Sequence, residues 1–166
     1  MQTYTPLRIL VLGHSFVWRL AQFTMEANLP CIAHNFHCAE PSEIQFYGIG
    51  GRTVTRLRQF DLSLVAQFKP NTITLEIGSN DLCDPRLNTN DLATNIFHLV
   101  QTLHFSYNVS HIIVSQVLPR RSPPRMIPSY NTRVSFYIHD QAFFYAMAFT
   151  LILGEIICFT IVIRRL

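Results

Sequence analysis

The sequence predicts an α/β domain built on a parallel sheet, and three observations carry that prediction. Four short runs of branched apolar residues recur along the chain, helical stretches separate them, and three strand ends in succession close on glycine-rich or polar turns. Strands that are almost wholly apolar suit a sheet covered by helices on both faces. Ligands in such sheets bind beyond the carboxyl ends of the strands. The three turns are therefore where function is sought.

The first strand is Leu7 to Leu12, ended by Gly13. A helix is expected over Val17 to Asn28, then a second strand at Ile44 to Tyr47 before the cluster Gly48-Ile49-Gly50-Gly51. Thr53 can cap a single helix reaching Phe68, because Val54, Leu57, Leu64, Val65 and Phe68 recur at helical spacing and Pro70 stops it. Thr72 to Ile77 is a third strand closed by Gly78. Leu92, Ile96, Leu99, Val100 and Leu103 form one helical face that Asn88 or Asn90 could cap. His111 to Val117 is the fourth strand, and Pro119, Pro123, Pro124 and Pro128 crowd the loop after it.

Composition narrows the class. The 166 residues suit one domain, and 49% hydrophobic against 14% charged residues excludes disorder. A net charge of +3, with scattered arginines and Lys69 the only lysine, is too diffuse for a specific nucleic-acid partner. Cys31, Cys38, Cys83 and Cys158 form no CxxC pair, so no disulfide framework is implied. The first residues lack a basic segment and the apolar run after them is short, so no signal peptide is expected. Gln141 to Ile163 contains one charge, Glu155, and is long enough to span a bilayer, which takes roughly 20 residues. An acidic residue near its middle opposes insertion, so the run reads either as a membrane helix or as a buried one.

Ser15 follows a strand and a glycine and precedes a helix. A hydroxyl there can act as a nucleophile beside amides that favour negative charge, or it can simply cap the helix. The glycine cluster at 48–51 matches neither phosphate-binding pattern, so a nucleotide is not expected. Glycine there can instead let an amide approach an oxyanion, and Asn80 can offer a side-chain N–H or stabilise its own turn. Cys31, His34, His37 and Cys38 fall within eight residues, too crowded for four ligands around one zinc ion; no metal and no cofactor is expected. The sequon Asn108-Val109-Ser110 is expected to stay unmodified.

Taken together, the three turns resemble the SGNH hydrolase superfamily, the GDSL-type esterases and lipases, over about residues 7 to 135. Val11-Leu12-Gly13-His14-Ser15-Phe16 is similar to the nucleophile block, Tyr47 to Thr53 to the second block, and Glu76-Ile77-Gly78-Ser79-Asn80-Asp81 to the GxND block. The resemblance implies Ser15 as nucleophile, with the Ser15 amide, Gly51 and Asn80 as oxyanion donors. It is nearest to the short SGNH esterase-like domains found alone or with invertebrate retroelement proteins. His14 stands where aspartate is common, and no DxxH, the block that supplies base and orienting acid, occurs after Asn80. His139-Asp140 has the right residue types in the wrong order, and His98, His104 and His111 read as structural.

The expectation is a three-layer, flavodoxin-like SGNH fold over residues 1–136, C-terminally incomplete, followed by an apolar tail at 137–166 with a candidate transmembrane helix at 141–163. It would act on a small-molecule ester, weakly or not at all without DxxH, and would reside at a membrane through the tail or in the cytoplasm. The alternative is a non-catalytic, membrane-tethered or ligand-binding remnant. Oligomeric state is not legible in these motifs.

Overall fold

The apolar runs become the strands of one sheet in the computed structural model, which describes residues 6–26, 41–115 and 117. Strands β1 (Leu7–Gly13), β2 (Ser42–Gly48), β3 (Thr72–Glu76) and β4 (His111–Val114) lie in the order β2-β1-β3-β4, every pair parallel. Val11 pairs with Phe46 on one side and Thr74 on the other. The chain leaves β1 in one direction to form β2 and crosses back over it to form β3. A reversal of this kind opens a crevice beyond the strand ends.

Helix α1 (Ser15–Glu26) packs on β1 and β2, whereas α2 (Val54–Phe60) packs on α4 (Thr89–Tyr107), with α3 (Leu62–Phe68) following α2. Right-handed crossovers place α1 on one face of the sheet and α2 to α4 on the other. The second face is the sealed one: Leu10, Leu12, Ile73, Leu75, Ile112 and Val114 point into a core completed by residues such as Leu57, Val65, Leu92 and Leu99. Their strand neighbours Ile9, Val11, Thr74 and Ile113 are only half-buried. The α/β class and the parallel sheet predicted from the strand runs are both present.

Several boundaries differ from the sequence reading. Periodicity alone makes Thr53 to Phe68 one helix, but the chain breaks it at Asp61, whose carboxylate accepts from Arg52 Nη2 at 2.8 Å instead of capping α3. Helix α1 begins two residues earlier than expected, at Ser15. Strand β4 ends at Val114, although Val117 remains buried. Thr53 does cap α2, accepting from the Arg56 amide, and of the two candidates for α4 it is Asn88 that caps, through the Asn90 amide.

Candidate active site

The turn after β1 begins at a glycine because nothing larger fits. A Cβ on Gly13 would collide with the Glu76 carbonyl oxygen, so glycine lets the ends of β1 and β3 close together. The His14 amide then donates to that same carbonyl at 3.2 Å. His14, not Ser15, performs the capping of α1: its carbonyl accepts from the Val17 amide at 3.0 Å and its ring Nδ1 from the Phe16 amide at 3.2 Å. Ser15 lies one position inside the helix, half-buried, and no hydrogen bond to a described residue engages its hydroxyl. The capping reading of Ser15 thus gives way to His14.

The second turn runs alongside the first. The Ile49 amide donates to the Gly13 carbonyl at 3.1 Å, and the Arg52 amide closes the turn on Ile49 at 3.3 Å. Gly51 between them has φ +70, in the left-handed region where a side chain is strained. A Cβ there would meet nothing within 4 Å. Backbone conformation rather than crowding requires glycine, and the space around it is open to a ligand.

The third turn binds to both others. Asn80 Nδ2 donates to the Arg52 carbonyl at 2.9 Å, one residue from Gly51. Ser79 Oγ lies 3.0 Å from His14 Nε2. Because Nδ1 of that ring accepts from an amide, the neutral ring carries its proton on Nε2 and donates it to Ser79. Asp81, buried, accepts from the Val54 amide with both carboxylate oxygens, at 3.1 and 3.3 Å. The turns that carry Ser15, Gly51 and Asn80 are therefore joined by hydrogen bonds at the carboxyl edge of the sheet.

Three carboxyl groups around this edge hold their protons more tightly than usual. Burial raises the Asp81 pKa to about 6, against the opposing pull of the Val54 amide. Burial also raises Glu76, opposed by a hydrogen bond from Ser115, and Asp61, opposed by the charge of Arg52. Glu76 Oε1 stands 3.6 Å from His14 Nε2.

Sequence reasoning missed the supports of the site: the His14 ring, the Asp81 clamp on α2 and the Arg52–Asp61 pair. The one legible signal was a ring nitrogen at the residue just before a helix, a position that rewards an acceptor. Other histidines stand apart from these contacts. His104 Nδ1 is bonded to the Val109 carbonyl at 3.0 Å, His98 is exposed on α4, and His111 opens β4 at its amino end. Among the described residues no group of three or more His, Cys, Asp or Glu could hold a metal ion, and no helix is long and apolar enough to cross a membrane. The Cys31 to Cys38 cluster, His139-Asp140 and the run 141–163 lie outside the described residues.

No family profile matches the sequence, and no curated protein matches it either. Solved structures do. A GDSL-like lipase from Bacteroides thetaiotaomicron is similar over 91% of this chain and 67% of its own, at 17% identity and a TM-score of 0.64. A psychrotrophic esterase from a Pseudoalteromonas species is similar over 92% of this chain and 76% of its own, at 21% identity and a TM-score of 0.54. An acetyl xylan esterase is similar over 92% and 77%, at 13% identity and a TM-score of 0.60. At such identities the likeness is one of fold: the parallel α/β architecture here is that of GDSL-like lipases and esterases.

Proposed function

We propose that the chain is an SGNH-type hydrolase domain in which Ser15 attacks the carbonyl carbon of a small carboxylic ester. The Ser15 Oγ–carbon bond forms as the carbonyl π pair moves onto oxygen, and collapse of that tetrahedral adduct expels the alcohol. Water then releases the acid and regenerates Ser15. The Ser15 amide, the Gly51 amide and Asn80 Nδ2 stabilise the oxyanion. The observation that carries this reading is the bond from Asn80 to the Arg52 carbonyl. It uses one of the two Nδ2 hydrogens and ties Asn80 to the residue beside Gly51, leaving the second hydrogen for a ligand.

The weak point of the machinery is the base. Both ring nitrogens of His14 are engaged, so it does not accept the Ser15 proton. No DxxH occurs between Asn80 and Leu166, and no described residue is placed to supply the general-base assistance that is worth about 10²- to 10⁴-fold. Slow turnover is the outcome this reading expects of the 166 residues.

Incubation with a fluorophosphonate, followed by peptide mass measurement, tests the assignment. The expected result is slow, stoichiometric modification of Ser15, with equally slow hydrolysis of p-nitrophenyl acetate, both lost in Ser15→Ala. Equal reaction of parent and variant, or none in either, would overturn Ser15 as nucleophile.

A further inference from the structure

We infer that His14 is a positioning residue, holding the Ser15 turn and the Asn80 turn in register through opposite nitrogens of one buried ring. The inference rests on Ser15 and Asn80 having the roles proposed above. Its geometry is independent of them. Nδ1 takes the Phe16 amide at 3.2 Å, inside the first turn of α1, and Nε2 reaches Ser79 Oγ at 3.0 Å, across 65 residues of sequence. His14 is 8% exposed, and its backbone amide is bonded to the Glu76 carbonyl on the neighbouring strand. Ser15 lies between His14 and Phe16, the residue whose amide the ring binds, and Asn80 follows directly on Ser79.

Chemistry explains why an imidazole fits this place. A cap needs only an acceptor, which Asp or Asn supplies on a shorter stem. The bridge needs a donor on the far side of the same side chain, because Glu76 Oε1 stands 3.6 Å from Nε2 and a carboxylate at residue 14 would face it with like charge. Neutral imidazole is an acceptor at one nitrogen and a donor at the other, so it satisfies both turns at once. The aspartate common at this position in the resembling family meets only the first requirement.

Two variants separate bridge from cap. His14→Asn keeps a strong cap for Phe16 but is too short to span to Ser79; Ser79→Ala removes the far partner and leaves the cap untouched. Both are expected to remain folded with the modest drop in melting temperature that one lost buried hydrogen bond carries, and fluorophosphonate labelling of Ser15 at a temperature well below melting slows about tenfold, the scale of one such bond. The double variant should label no more slowly than either single one, since the same contact is lost in each. Parent-like labelling in His14→Asn would reduce His14 to a cap and overturn the inference.

Amide hydrogen exchange keeps the test independent of chemistry. The Leu82 and Cys83 amides, bonded to the Gly78 and Asn80 carbonyls, report on the Asn80 turn. They should exchange faster in both variants, while the Phe16 amide stays protected in both. If the parent shows no Ser15-dependent labelling, the esterase reading fails and this exchange decides the bridge alone. Parent-like exchange at Leu82 and Cys83 would overturn it.

Discussion

Asn80 carries two side-chain amide hydrogens, and the Arg52 carbonyl claims one of them. Asn80→Ala should therefore do two things at once. Ser15 labelling falls by about 10²- to 10³-fold as an oxyanion donor is lost. Stability to urea falls by about 1–3 kcal/mol, because a half-buried carbonyl loses its partner. A stability loss without a rate loss would detach Asn80 from the chemistry. Its neighbour Asp81 makes a separate prediction. The folded pKa of about 6 lies above the unfolded 3.8, so the folded state binds the proton more tightly. Stability is greatest below the unfolded value and is lost as pH rises through about 6, by about 3 kcal/mol in all. Asp81→Asn, which can still accept from the Val54 amide, should flatten the fall in urea midpoint between about pH 4.5 and pH 7.5; an unchanged slope would assign that fall elsewhere. The proposed site residues Ser15, Gly51 and Asn80 were singled out in the sequence because each follows the end of a strand within four residues. Their supports were not, since His14 and Ser79 are 65 residues apart and Asp81 and Val54 are 27 apart, separations to which local pattern is blind.

The break between α2 and α3 shows the same limit at the level of an element. Apolar spacing runs through Asp61 without a fault, and Thr53 and Pro70 mark the outer ends correctly. What interrupts the helix is an ion pair: Arg52, emerging from the glycine turn, takes the Asp61 carboxylate at 2.8 Å, and Phe60 lies under the same guanidinium. Both side chains are largely buried, at 11% and 2% exposure, so removing one partner strands the other. Asp61→Ala is expected to cost about 3 kcal/mol in urea unfolding. It should also slow Ser15 labelling, because Arg52 supplies the carbonyl that orients Asn80. Loss of stability with full labelling would show that the pair supports the helix joint alone. The α4 cap was legible to within two residues, since Asn88 and Asn90 are both good caps and only the backbone φ and ψ choose between them.

Across the whole molecule, the order β2-β1-β3-β4 emerges only in the folded chain, and the α/β class and parallel pairing, which follow from the apolar runs, were readable in the sequence. The proton acceptor for Ser15 was not, because no DxxH follows Asn80. A chimera in which residues 137–166 are replaced by the C-terminal segment of a GDSL-type esterase carrying DxxH should raise Ser15-dependent ester hydrolysis by about 10²- to 10⁴-fold. A soluble, folded chimera without that gain, on a panel of acyl chain lengths, would count against ester hydrolysis as the function of the sheet edge.

The unequal covering of the sheet also bears on how the molecule comes apart. Among the described strands β2 lies at an edge and has no fully buried residue, whereas β3 and β4 alternate with side chains sealed beneath α4. The α1–β2 unit is accordingly the one with least to lose on opening. The single tryptophan, Trp18, sits within it on α1. Its fluorescence should change at a lower urea concentration than the far-ultraviolet circular dichroism of the helices, so the two curves will not superimpose as a single all-or-none transition requires. Ser15 opens α1 and Gly51 follows β2, so loss of Ser15 labelling on heating is expected to precede melting of the core.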